Sequence, residues 1–180
     1  MKKLLFILLI FLTGLSSCVE EQNFDQWDDL EIIPTVEASI LYVESPESVI
    51  NDAPGAVWYI QTFNFDAFSE DFFAENVLDG VIVYELENTT SKDLEIIFEY
   101  LDDAGNVLDT EAFTIPPAPT AIIRRETTYG TPTGRSLDII RNTSEIRVNA
   151  SNFGDTTSTS SLPDPKVIFR SSAKFRLQLK

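Results

Sequence analysis

The stretch LEIIFEYLDDAGNVLDTEAFTI, residues 94–115, decides the fold class. Leu94, Ile96, Phe98 and Tyr100 alternate with Glu95, Ile97, Glu99 and Leu101, the period of two that a half-buried strand requires. Asp102-Asp103-Ala104-Gly105-Asn106 then supplies turn-forming carboxylate and amide side chains and a glycine free to take positive φ, before Val107 to Ile115 resumes as a strand. The segment is a β-hairpin, and Pro116-Pro117-Ala118-Pro119 ends it, because proline cannot donate to a ladder.

The same texture extends to both sides. Val36, Ala38, Ile40 and Tyr42 alternate with Glu37, Ser39, Leu41 and Val43, which reads as a half-buried strand after Pro34. Ala56 to Phe63, Val81 to Leu86, Thr120 to Thr127, Leu137 to Arg141, Ser144 to Ala150, Lys166 to Arg170 and the closing AKFRLQLK read as further strands. Asp66 to Asn76 is the one helical candidate, with Asp66 as its cap, and Ser151 to Pro165 is a polar loop without periodicity. Eight or nine short strands, almost no helix and turns rich in Gly, Pro, Asn and Asp imply an all-β protein, a two-sheet antiparallel β-sandwich over 35–180. Glu87 to Pro117 resembles the middle strands of immunoglobulin-like or fibronectin-type modules of surface lipoproteins, and that resemblance implies an immunoglobulin-like sandwich.

The amino terminus carries an address. Lys2 and Lys3 precede the uncharged run LLFILLIFL, and small residues follow, the layout of a secretory signal peptide over 1–17. Leu15-Ser16-Ser17-Cys18 resembles the lipobox of bacterial lipoproteins. In that family the cysteine thiol is diacylated and the chain is cut before it, so the resemblance implies a membrane anchor at Cys18. As a residue type alone, a lone cysteine is also consistent with a small buried hydrophobe. The acids after it, Glu20, Glu21 and Asp25, resemble the export signal of Bacteroidota-type surface lipoproteins. This implies the outer membrane, its cell-surface face ahead of the periplasmic one; a charge run also serves as a solvated tether. Within the acidic tether 18–34, Phe24, Trp27 and Leu30 recur every three residues and form a candidate docking element, for a protein partner in the outer membrane or for the chain's own domain.

Charge limits the partners. The 180 residues hold 13 Lys and Arg against 29 Asp and Glu, a net charge of −16, which disfavours nucleic acid. From Cys18 to Ser91 there are 17 acids and no base, whereas from Arg124 onward 10 bases face five acids. Such asymmetry either pairs acidic strands with basic ones or presents two opposed surfaces.

Histidine is absent, so neither a Ser-His-Asp nor a Cys-His arrangement can be built, and no imidazole is available for zinc. What remains is a carboxylate pair of the glycosidase type, with 29 acids and no spacing that selects two. Calcium has two candidate loop clusters, Asp66, Glu70 and Asp71, and Asp102, Asp103 and Asn106; neither has calcium-loop spacing. Carbohydrate binding needs an exposed ring, for which Trp58, Tyr59, Tyr84, Tyr100 and Tyr129 are candidates, although aromatics on strands usually pack. Asp155-Thr156-Thr157 resembles the O-glycosylation site of Bacteroidota-type envelope proteins, which implies Thr156 as the acceptor. The sequence therefore leads to a lipid-anchored, non-enzymatic binding or accessory module, with a carbohydrate-binding module or small glycosidase as the alternative.

Overall fold

A computed structural model of the chain describes residues 30–65, 68, 70–119 and 122–179. The signal peptide, Cys18, Phe24, Trp27 and Asp66 lie outside the described residues. Met1–Glu31 with Lys180 separates from Ile32–Leu179, which is one compact unit. Of the former, Leu30 and Glu31 are described, and Leu30 is exposed.

Ile32–Leu179 is an antiparallel β-sandwich of two four-stranded sheets. In chain order the elements are β1 (Thr35–Pro46), α1 (Glu47–Asp52), β2 (Val57–Asn64), α2 (Asp71–Asn76), β3 (Val77–Asn88), β4 (Leu94–Leu101), β5 (Val107–Ile115), β6 (Ile123–Tyr129), α3 (Leu137–Arg141), β7 (Glu145–Asn152) and β8 (Lys166–Leu177). The first sheet runs β1-β8-β3-β6 and the second β2-β7-β4-β5.

That order has a simple generator. β4 pairs with β5, β3 with β6, β2 with β7 and β1 with β8, so the chain is one long ribbon folded back at the 94–115 hairpin. Rolling the ribbon adds the pairs β3–β8 and β4–β7. This nesting is the order of the eight-stranded jelly roll. The expected immunoglobulin-like order is thereby corrected: it sets the first two strands side by side in one sheet, whereas here β1 and β2 lie in opposite sheets.

The hairpin forms as its turn residues require. Gly105 has φ 79°, its amide donates to the Asp102 carbonyl at 2.9 Å, and Asp102 Oδ1 accepts the amides of Ala104 (3.0 Å) and Asn106 (2.8 Å). The ribbon also explains the charge asymmetry, since it pairs strands of the acidic half with strands of the basic half. Glu44 meets Lys166, Asp79 meets Arg176, Glu85 meets Arg124 and Arg170, and Glu87 meets Arg170. Cross-strand pairing is the alternative realised.

The core lies between the sheets. Tyr84, Phe98 and Phe113 pack with centroids 5.3, 5.4 and 5.8 Å apart, and Phe169 meets Phe98 edge-on at 5.7 Å. Such aromatic pairs add about 1 kcal/mol each beyond the area they bury. Ile82, Leu86, Leu94, Ile96, Val148 and Val167 fill the space around them.

Several local expectations need correction. Leu137–Arg141 is a helical turn, not a strand, because the Ser136 hydroxyl accepts the Asp138 amide at 3.2 Å and caps it. The helix expected over 66–76 occupies Asp71–Asn76, with no side-chain cap at Glu70, and Glu47–Asp52 is a helix that periodicity did not signal. Lys166–Leu177 is one strand rather than two: Val167, Phe169, Ser171, Ala173, Phe175 and Leu177 all point inward without a break. In β1 the register shifts between Ser39 and Leu41, so Leu41 and Val43 face inward while Tyr42 turns to solvent.

Candidate functional site

The bulge in β1 creates the most distinctive surface of the described residues. Beyond it, Tyr42 lies opposite Arg170 on β8, Arg170 opposite Glu85 on β3, and Glu85 opposite Arg124 on β6. Tyr42, Arg170, Glu85 and Arg124 thus form one row across all four strands of the first sheet, roughly 14 Å long at the usual strand spacing. The neighbouring row is built from short side chains, Ser39, Ser172 and Val83. The height difference leaves a groove of about 320 Å³, lined also by Ile40.

Tyr42 is 61% exposed, the most exposed tyrosine ring of the sandwich's core-forming strands. Its hydroxyl donates to Glu44 Oε2 at 2.6 Å, and Lys166 Nζ donates to Glu44 Oε1 at 2.8 Å. The hydrogen bond to Glu44 raises the phenol's pKa, while those from Lys166 and Tyr42 lower that of Glu44. The ring is therefore held as a neutral platform beside the groove. Arg124 Nε and Arg170 Nε stand 3.9 and 3.7 Å from the Glu85 carboxylate, too long for hydrogen bonds, while Arg124 donates to Glu126 at 2.7 Å and Arg170 to Glu87 at 3.5 Å, so each guanidinium is partly engaged and Glu85 accepts no close hydrogen bond from either. Planar guanidinium and carboxylate groups beside an exposed ring suit hydroxyl-rich ligands.

Two other polar clusters are spent on structure. At the β5–β6 margin, Glu111 accepts Thr127 Oγ1 at 2.6 Å, Arg135 at 2.7 Å and Arg125 at 3.0 Å. Arg135 also pairs with Asp109, Arg125 lies 4.1 Å over the Phe113 ring, and the Tyr84 and Tyr100 hydroxyls hydrogen-bond to each other in the interior. Burial pushes the Tyr84, Tyr100 and Tyr129 phenols up, away from ionisation.

Beneath the 153–165 loop, fully buried Lys92 donates to the Ser158 carbonyl (2.7 Å), Ser158 Oγ (3.0 Å) and Asp155 Oδ1 (3.3 Å). All three ammonium donors are used, so the Lys92–Ser158 contact is a clamp rather than a base beside a nucleophile. The Ser158 and Thr157 amides hold the Asp155 carboxyl well below the usual carboxylate range. Burial pushes the Glu47 carboxyl up, but hydrogen bonds from the Ser91 hydroxyl and the Ser160 and Ser91 amides outweigh it and leave it lowered.

The residues singled out in the sequence scatter. Trp58 is 8% exposed and Tyr84, Tyr100 and Tyr129 are buried, so none of them offers a ring to a ligand; Tyr59 is half-buried against Phe169. The Asp102 carboxylate is committed to its turn, with Asn106 Nδ2 at 3.0 Å from Oδ2. Among the described residues no cluster of three or more Asp, Glu or Cys stands ready for a metal ion. Thr156 is exposed in a loop whose neighbours are fixed by Asp155. Among the described residues no helix is long and apolar enough to cross a membrane. Tyr42, Arg124 and Arg170 escaped sequence reasoning, because their grouping depends on strand order and on the bulge.

No family model matches the chain, and no curated protein matches it. Solved structures similar to it include the VP2 subviral particle of infectious bursal disease virus, at 12% identity over 83% of this chain and 32% of that chain, TM-score 0.35. The disulfide-linked pili of Bacillus endospore appendages follow at 9% identity over 82% and 91%, TM-score 0.36. The enzymatically active domain of bacteriophage CBA120 tailspike protein 4 is similar at 14% identity over 77% and 19%, TM-score 0.33. The chain spans about a third of the length of the VP2 chain to which it is similar. At these TM-scores no functional statement follows.

Proposed function

We propose that this chain is a lipid-anchored binding module of a bacterial outer membrane, tethered through Cys18 and displayed on the cell-surface face, where it serves as an accessory or recognition protein rather than an enzyme. The observation that carries the binding role is the cross-strand row Tyr42, Arg170, Glu85 and Arg124 with the groove beside it. The anchor rests on the lipobox resemblance of Leu15 to Cys18, and the address on the acids behind it. Phe24, Trp27 and Leu30 are the docking element for a partner in the membrane. Radiolabelled palmitate should enter the wild-type chain and not Cys18→Ala, and protease added to whole cells should remove the sandwich. Deleting residues 22–33 while retaining Cys18 should abolish co-purification with the partner; retained co-purification or a protected sandwich would sink this reading.

A second reading has its own support: the exposed Tyr42 ring favours a carbohydrate-binding module. The glycosidase version lacks support in this groove. Hydrolysis uses two carboxyls about 5–10 Å apart across the scissile bond, and Glu85 is the one carboxylate among the groove's lining residues. On a panel of immobilised oligosaccharides the wild-type chain should retain at least one glycan and Tyr42→Ala should lose it. Equal retention by both would overturn the carbohydrate reading.

A further inference from the structure

The charges around the Tyr42 groove decide which class of hydroxyl-rich ligand it accepts. Glu85 stands in the row between Arg170 and Arg124, and takes a close hydrogen bond from neither, at 3.7 and 3.9 Å. Each arginine has a second carboxylate as well: Arg124 Nη2 donates to Glu126 at 2.7 Å, and Arg170 Nη2 lies 3.5 Å from Glu87. Two guanidiniums are thus set against three carboxylates, a local charge of −1. The cation beyond Tyr42 is equally committed, because Lys166 is divided between Glu44 at 2.8 Å and Asp164 at 3.2 Å.

We infer that the groove takes a neutral saccharide and excludes an acidic one, with Glu85 as the residue that makes the choice; this deepens the carbohydrate reading of the groove and rests on it. A sugar hydroxyl is a donor and an acceptor at once. Placed between Glu85 and a flanking arginine, it donates to the carboxylate and accepts from the guanidinium, and so bridges a separation that the two charged groups do not close themselves. The charged group of a uronate or a sulfated sugar only accepts. To bind, it has to draw a guanidinium from a carboxylate that already faces it, while standing against three like charges, and such an arrangement discriminates by repulsion. The apolar face of a sugar ring rests on the exposed Tyr42 ring, and the short side chains of Ser39, Ser172 and Val83 leave room for it.

The test is retention of the full chain, in detergent, on an array of immobilised polysaccharides, the neutral ones glucans, mannans, galactans and xylans, the acidic ones polygalacturonate, alginate and heparin. At least one neutral polysaccharide should hold the wild type, equally at about 0.05 and about 0.5 M salt, and no acidic one should. Glu85→Gln should bind that neutral polysaccharide about tenfold more weakly, because an uncharged acceptor replaces a charged one. Glu85→Gln combined with Glu126→Gln leaves two guanidiniums against one carboxylate, and should acquire retention on at least one acidic polysaccharide that about 0.5 M salt removes. Both side chains face solvent, so the variants should unfold at the wild-type temperature. Wild-type retention on an acidic polysaccharide that Tyr42→Ala abolishes would overturn this inference and leave the groove reading standing. Retention on no polysaccharide, or retention that Tyr42→Ala leaves unchanged, would overturn both. A Glu85→Gln chain that matches the wild type on the neutral polysaccharide, or a double variant that no acidic one holds, would overturn the inference alone.

Discussion

The two flanks of the sandwich are built on different principles. Along β5 and β6 the sheets are stitched together by charge: Glu111 takes three donors from β6 and the segment after it, and Arg135 bridges Glu111 and Asp109. Along β1 and β2 no such stitch can exist, because β2 has no charged residue, and both strands carry register shifts. That flank is held instead through α1, where Glu47 binds Ser91 and Ser160. The difference teaches where recognition can be placed. A flank closed by buried ion pairs specifies one geometry, and the flank without them keeps an exposed ring and an open edge.

Substitutions can break this contrast, in descending order of effect. Glu111→Ala strands three donors at a nearly closed site, and urea unfolding should register a loss of about 3 kcal/mol, the low end for a broken buried pair because the guanidiniums stay partly wet. Glu47→Gln presents an amide donor where Ser91 or Ser160 already donates, and should cost about 2 kcal/mol at neutral pH. The Glu47 carboxyl is lowered in the folded state, so its contribution is present above the unfolded value of about 4.3 and is lost as pH falls through the folded one. Acid titration of stability should therefore be shallower below about pH 4 in Glu47→Gln than in the wild type. Tyr84→Phe deletes one interior hydrogen bond and should cost about 1 kcal/mol by thermal unfolding. Tyr42→Ala should change stability by less than about 0.5 kcal/mol while removing ligand binding, which separates the recognition surface from the core. A larger stability loss there would place Tyr42 among the packing residues.

Local chemistry was readable in advance, and non-local geometry was not. The 94–115 hairpin was legible because Asp102, Gly105 and Asn106 act on their own turn. The partition of acids and bases between the chain halves held the pairing rule, although two arrangements satisfied it until the register selected one. The bulge at β1 was invisible, since Val36 to Ile40 alternates and Ile40-Leu41-Tyr42-Val43 is apolar on both faces, so the extra residue shows itself against β8 alone. For the same reason Tyr42 was not singled out, and Trp58, a natural candidate ring, proved to be interior. The α3 turn was misread because Leu137 and Ile139 mimic a strand period over five residues, too few for a helical period to emerge. Its Ser136 cap was the signal available.

Because β8 runs through the middle of its sheet, it is the hydrogen-bonding partner of both β1 and β3. A ribosome begins those two strands 142 and 100 residues before the β8 sequence is complete, counting from Thr35 and Val77 to Leu177. Throughout that interval β1 has no partner in its sheet, and β3 has β6 alone. Completion of the first sheet is thereby deferred until β8 has been made, which leaves the earlier chain still threadable in the meantime.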